Sequence, residues 1–217
     1  MSERKLKVSG GATDDYGLVV GNTFDKYGSG NPIVKWMMKG FDSAISELVD
    51  IANPEAIYEV GCGEGYWILK WRTKGIRASG CDISQQVVEL ARENTALAGV
   101  PEESFEQCNI YDLERQSDPK ELVVCCEVLE HIDDPLRGLE ALHRIAGDFV
   151  ILSVPREPLW RALNVVRGKY LHQLGNTPGH IQHWSSRSFQ DFVSQVFEII
   201  EVRQPLPWTM LLCRRRG

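Results

Sequence analysis

The chain has 217 residues, 43% of them hydrophobic and 25% charged, with 24 basic against 30 acidic side chains and a formal net charge of −6. That length holds one full domain plus an extension rather than two enzyme domains, and the acidic balance offers no global positive field to attract a nucleic-acid backbone. No uninterrupted apolar run approaches a membrane span and the opening MSERKLKVSGGATDD lacks the apolar core of a signal peptide, so a cytoplasmic protein is expected.

In chain order, residues 1–31 are glycine-rich with little apolar periodicity, which predicts an arm that stays mobile until something orders it. The arm still carries Tyr16, Phe24 and Tyr27. Pro32 opens a helical pattern in which Ile33, Trp36, Met37, Phe41, Ala44, Ile45, Leu48 and Val49 recur at spacings of three and four, ending near Asn53-Pro54. Residues 1–55 are thus expected to be an N-terminal arm and lid helix, and 56–217 the main domain.

From there short apolar runs alternate with amphipathic segments. Strands are predicted at Ala56–Val60, Arg77–Cys81, Phe105–Cys108, Leu122–Cys126 and Phe149–Val154, and helices at Tyr66–Thr73, Ser84–Ala98 and Pro135–Ile145. Repetition of this kind implies right-handed crossovers and a doubly wound α/β fold, a parallel sheet with helices on both faces. After the fifth strand an insertion, about 156–184, places Leu159, Trp160, Leu163, Val166, Tyr170, Leu171 and Leu174 on one side of a helical pattern, punctuated by Arg156, Arg161, Arg167 and Lys169. The residues alone suit an ordinary packing helix with a solvated basic face. A helix from Ser186 to Val196 then leads into Phe197–Val202, and Gln204-Pro205-Leu206-Pro207 turns into Trp208–Cys213, a hairpin that would add antiparallel strands.

The most informative segment is Ile57-Tyr58-Glu59-Val60-Gly61-Cys62-Gly63-Glu64-Gly65, a strand ending in an acid two positions before three alternating glycines. Glycines there permit a tight turn and let a ligand lie against bare backbone at a helix N-terminus. A dinucleotide fingerprint would need G-x-G-x-x-G, but position 66 is Tyr, which makes a dehydrogenase remote. The next strand ends in Asp82-Ile83, where an acid can accept both ribose hydroxyls of an adenosine or simply cap the helix that follows. The third strand ends Cys108-Asn109-Ile110-Tyr111-Asp112-Leu113, and the fourth runs into Glu127-Val128-Leu129-Glu130-His131-Ile132-Asp133-Asp134-Pro135.

Taken together these four strand ends resemble, in order, the motifs of the class I S-adenosylmethionine-dependent methyltransferases, and within them the ubiquinone-pathway O-methyltransferases and the type 11/12 group. The resemblance covers about residues 56–215. It implies a seven-stranded, mostly parallel Rossmann-like sheet closed by an antiparallel C-terminal hairpin. It also implies that the insertion after the fifth strand is a lid over the acceptor. S-adenosylmethionine would be held by Glu59, Gly61, Gly63, Gly65, Asp82, Ile83, Asn109, Ile110 and Glu127. Asn109 replaces the usual Asp of the adenine segment, and its side-chain oxygen can still accept from the adenine amino group.

Glu127, Glu130 and His131 stand at i, i+3 and i+4, so a helical turn after the fourth strand would stack all three on one face. With a distal imidazole from Gly179-His180-Ile181-Gln182-His183-Trp184-Ser185, this E-x-x-E-H pattern resembles the metal site of small-RNA 3′-terminal 2′-O-methyltransferases and of the ubiquinone-pathway enzymes. The resemblance implies a divalent ion such as Mg²⁺ on Glu127, Glu130, His131 and His180, which would lower the pKa of one hydroxyl of a diol or catechol. Such segments also occur without metal; His131 or His180 would then serve as general base or have a purely structural role.

The expected acceptor is a small molecule, methylated at a hydroxyl oxygen and anionic or lipid-like to match the basic insertion. The place after the fourth strand lacks the N-P-P-Y type segment that goes with amine acceptors. RNA ribose methylation and a non-catalytic, cofactor-binding partner subunit are the other two readings, and the oligomeric state is left open. Cysteines 62, 81, 108, 125, 126 and 213 contain no C-x-x-C pair and sit mostly in strand-like runs, so reduced, buried thiols are expected.

Overall fold

The computed structural model describes residues 7–10, 27–114, 120–166, 168 and 170–217; the expectations on Tyr16, Phe24, Arg167 and Lys169 lie outside the described residues. The chain builds a sheet of seven strands: β1 (Ala56–Val60), β2 (Arg77–Asp82), β3 (Phe105–Gln107), β4 (Lys120–Cys126), β5 (Ala146–Pro155), β6 (Phe197–Arg203) and β7 (Trp208–Arg215). The order across the sheet is β3-β2-β1-β4-β5-β7-β6. β1 pairs in parallel with both β2 and β4, β2 with β3 and β4 with β5, whereas β7 runs antiparallel between β5 and β6. The doubly wound sheet with a reversed terminal hairpin is therefore the observed fold.

Alternation along the strands explains why both faces are covered. Ile57, Leu122, Val124, Ile151, Met210 and Leu212 point to one face, while Val60, Val123, Cys125, Val150, Leu152 and Leu211 point to the other, and all are buried. The first face receives α1 (Pro32–Ala52), α2 (Tyr66–Thr73) and α3 (Gln85–Ala96); the second receives α4 (Pro135–Ile145) and α6 (Ser186–Val193). None of the described helices is long and apolar enough to cross a membrane.

α1 is positioned by its ends and by one stripe. Asn31 Oδ1 accepts from Ile33 N at 2.9 Å, Pro32 takes the first helical position, and Asn53 closes the helix in a left-handed conformation with its N–H on Val49 O. Phe41, Ala44, Ile45, Leu48 and Val49 are buried against β5 and β7. The second half of α1 is thus a layer of the main core, and only its first turns, with Ile33 and Trp36 exposed, stand free of it.

The insertion differs from its expected form. The helix α5 (Leu159–Val166) stops eight residues before Leu174, because Gly168, Tyr170 and Leu174 all take positive φ, and a separate 3-10 turn forms at Leu171–Gln173. Gly175 N donates to Tyr170 O, so the chain folds back instead of continuing the stripe. The third strand is also shorter than expected, ending at Gln107, and the sixth helix ends at Val193.

Candidate functional site

The chain leaves β1 in one sense along the sheet toward β2 and β3, then returns to add β4 and β5 on the other side. The strand order thus reverses between β1 and β4, and in open α/β sheets the crevice beyond the carboxyl ends of such neighbours is where ligands bind. The four motif-bearing strand ends all converge there.

At the tip of β1, Gly61 N and Cys62 N both donate to Cys81 O, which turns the loop across the end of β2. Gly61 and Gly65 have φ of 77° and 82°. A Cβ on Gly61 would overlap Val128 Cγ2, and one on Gly65 would meet Ala91, Thr95 and Phe105 within 3.3 Å. Only bare backbone passes between the sheet end, α3 and the segment after β4. Asp82 ties the loop down: its Oδ2 accepts from Gly63 N at 3.0 Å and its Oδ1 from Ser84 N at 3.1 Å. Burial pushes this carboxyl above the usual Asp range, against the pull of the backbone donors at Ser84 and Gly63. Ser84, not Asp82, caps α3, its Oγ accepting from Val87 N.

Around this loop the other predicted positions fall as follows. Glu59 is 3% exposed under the tip of β1. Ile83 stands partly open at the end of β2, and Gln107 donates to its carbonyl. Asn109 uses its side-chain oxygen to accept from Tyr111 N at 3.1 Å, capping a short turn whose Ile110 is buried. From the arm, Lys7 exchanges hydrogen bonds with the Asn94 side chain, and Ser9 N donates to Glu64 Oε1. Tyr27 stacks on Tyr66 with ring centroids 3.6 Å apart and meets Trp67 edge-on. Burial, and then the Glu59 carboxylate, hold the Tyr27 phenol well above its ordinary pKa.

Glu127 does not stand where the helical spacing predicts. It adopts φ 59°, and the 3-10 turn that follows begins only at Leu129, so Glu127 shares no helical face with Glu130 and His131. Its carboxylate turns toward the sheet instead, accepting from Ser153 Oγ at 3.0 Å and from Trp208 Nε1 at 2.6 Å. The expected four-residue metal set is corrected accordingly: among the described residues the group able to converge on one ion is Glu130, His131 and His180, with one donor atom from each within 4.8 Å of the others.

His180 reaches that group across the sequence. Ile181 N and Gln182 N donate to Glu130 O, which staples the end of the insertion to the turn after β4. His131 Nδ1 lies 3.0 Å from Gly179 O, so as a donor it fixes the ring and leaves Nε2 the unprotonated nitrogen of the neutral imidazole. The His131 and His180 rings meet edge-on at 4.8 Å, and Trp160 stacks on His180. Burial, followed by the neighbouring His131 and His183, drives the pKa of His180 down to about 3, which keeps it a neutral imidazole. Glu130 is 1% exposed, whereas His131 is exposed.

Several participants carry no signal in the sequence. Trp208 and Ser153 reveal themselves only by holding Glu127. Asn164, 1% exposed on α5, donates to Gly175 O at 2.8 Å and to Thr177 Oγ1 at 3.2 Å, and Thr177 Oγ1 also accepts from Trp160 Nε1. A buried Asn in an amphipathic stripe was a legible anomaly; its partners were not. All six cysteines are free, and burial raises the thiols of Cys81 and Cys213 to about 12, so they are inert core groups.

This fold and this edge are similar to those of S-adenosylmethionine-dependent methyltransferases. Residues 57–147 match the family model described as a methyltransferase domain. The chain is 29% identical over 122 residues to the ubiquinone biosynthesis O-methyltransferase of Alkalilimnicola ehrlichii, covering 54% of this chain and 49% of that protein. It is 28% identical over 122 residues to the enzyme of the same name from Aeromonas salmonicida, covering 54% and 51%. The chain thus spans about half the length of the curated relatives it matches. Among solved structures, magnesium protoporphyrin IX methyltransferase from Synechocystis PCC 6803 with bound SAH is similar in fold, with a TM-score of 0.66 at 21% identity over 88% of this chain and 91% of that one.

Proposed function

We propose that the chain transfers a methyl group from S-adenosylmethionine to a hydroxyl oxygen of a small molecule. The observation that carries the reading is the left-handed glycine loop pinned by Asp82 at the β1/β4 switch point, where contact with Val128 leaves no room for a Cβ at Gly61 and the turn runs as bare backbone. The bound cofactor supplies a methyl on a sulfonium, already activated toward a nucleophile. What the chain's residues contribute is position and dryness.

Gly61, Gly63 and Gly65 would receive the amino-acid part of the cofactor, with Glu59 and Glu127 as its acidic neighbours. Asp82 would accept the ribose hydroxyls, and Asn109, Ile83 and Ile110 would flank the adenine. Asp82 and Asn109 each already accept a backbone N–H, yet a carboxylate or amide oxygen keeps further lone pairs for a ligand donor. Tyr27, stacked on Tyr66 beside Glu59, would cover the methionine end and exclude water. The names of the curated relatives favour oxygen as the methylated atom.

Glu130, His131 and His180 would activate the acceptor by holding a divalent ion. A buried carboxylate, a neutral imidazole and a second imidazole locked through Nδ1 form a nitrogen-rich donor set. With Glu127 engaged elsewhere, such a set suits Zn²⁺ or Fe²⁺ better than Mg²⁺. The chemistry an ion would supply there is a lowered hydroxyl pKa.

The test is incubation of the purified protein with methyl-labelled S-adenosylmethionine against small diols and catechols, cell extract and RNA, with and without a strong chelator. Label in a small organic product, lost on chelation and restored by metal, is the expected result. Label confined to RNA, or binding of S-adenosylhomocysteine with no turnover, would overturn the acceptor class. Full activity with no bound metal by elemental analysis would leave His131 as general base and remove the ion.

A further inference from the structure

Beyond His180 the insertion encloses an open cavity of about 600 Å³ whose walls include Arg161, His172, Leu174, Asn176, His180 and Ile181. That size suits a small-molecule site. We infer that it receives an anionic group, a carboxylate or phosphate, carried on the non-reacting part of the acceptor, and that Arg161 recognises it. The inference rests on the reading of His180 as part of the acceptor-activating cluster.

Four observations support it. First, His180 is a wall of the cavity and a member of the Glu130–His131–His180 group, so whatever fills the cavity is adjacent to the reacting end. Second, no carboxylate is among the described lining residues, although the chain carries 30 acidic side chains and a net charge of −6. Third, the guanidinium is only partly engaged. Arg161 Nη2 donates to His183 Nε2 at 2.9 Å and Nε lies 3.7 Å from Glu157 Oε1, while Nη1 has no hydrogen-bond partner among the described residues. The Glu157 side chain is 12% exposed against 38% for Arg161, so the cation, not its counter-ion, faces the opening. Spare N–H donors in a fixed fork suit a two-oxygen anion. Fourth, Leu174 and Ile181 are exposed beside this cation, which fits a ligand with an apolar carbon body between its anion and its hydroxyl.

The inference narrows the acceptor class to hydroxylated organic anions. It is tested by calorimetric titration of the protein, in the presence of S-adenosylhomocysteine, with 3,4-dihydroxybenzoate, 3,4-dihydroxyphenylphosphonate and the neutral 3,4-dihydroxybenzamide. Both anions are expected to bind about tenfold tighter than the amide or better. The tighter of the two identifies whether the group is a carboxylate or a phosphate. Arg161→Gln should erase the preference without changing affinity for S-adenosylhomocysteine, and Arg161→Lys should keep part of it, which separates lost recognition from a misfolded variant. Equal binding of anion and amide, a preference that survives in Arg161→Gln, or binding of S-adenosylhomocysteine with no binding of any probe would overturn the inference. Failure to bind S-adenosylhomocysteine at all would overturn the methyltransferase reading itself.

Discussion

The edge formed by β1, β2 and β4 and the insertion between β5 and α6 are both irregular backbone, but they are held in different ways. At the cofactor edge the contacts join strand ends that the sheet already sets side by side: Gly61 turns on Cys81 O, Asp82 accepts from Gly63 and Ser84, and Asn109 caps its own turn. In the insertion no paired strands set the partners side by side, and the hydrogen bonds themselves hold the fold, as when Asn164 grips Gly175 and Thr177 or Glu130 O receives Ile181 and Gln182. The first region is a turn built directly on paired strands. The second is a loop fastened by a few buried polar contacts, the kind of segment that opens locally at lower cost than the core.

The comparison breaks most sharply at Asp82. Replacing Asp82→Ala should weaken binding of S-adenosylhomocysteine by about 100-fold or more, since it removes both the ribose acceptor and the tie on the glycine loop. Isothermal titration checks it, and unchanged affinity would show that the loop is not the cofactor cradle. Next in size, Asn164→Leu leaves Gly175 O without its buried donor and Thr177 Oγ1 with only Trp160 Nε1, a loss of about 1 to 3 kcal/mol. Limited proteolysis within 168–179 should accelerate while affinity for S-adenosylhomocysteine stays within about twofold. Equal protection of the insertion in the variant would show that the Asn164 contacts do not fasten it.

The smallest effect is in pH. Burial raises the folded-state pKa of Asp82, so its carboxylate disfavours the empty fold at neutral pH, and that cost is relieved as pH falls through the raised pKa. Ribose hydroxyls donate to the ionised form, so cofactor affinity should move the other way, falling a few-fold on acidification through a step above the ordinary Asp pKa of about 3.9. Asp82→Asn should flatten that step. A pH profile identical in the two proteins would mean that Asp82 does not meet the cofactor through its charge.

Much of the cofactor edge was legible because its determinants are compact. The run from Ile57 to Gly65 contains its own strand, its turn residues and its helix start. The strand runs of the sheet were similarly self-contained. Glu127 shows where such reading stops. Its spacing to Glu130 and His131 suits a helix, but a single left-handed residue and two donors from β5 and β7 redirect it, and neither donor lies near it in sequence. The insertion failed for the same reason: a stripe that would suit one long helix is broken at Gly168 and Tyr170 and folded back onto Asn164.

By itself, then, the sequence determined the order of strands and helices, the two-faced burial of the sheet, the terminal hairpin and the glycine loop facing Asp82. Those rest on periodicity and on φ preferences, which act over a few residues. Only the tertiary structure decided that Trp208 and Ser153 hold Glu127 away from Glu130, His131 and His180, and that Arg161 lines a cavity with no carboxylate among its described lining residues. Those depend on loop closure and on hydrogen bonds between distant segments, whose geometry is fixed only once the sheet has brought the segments together.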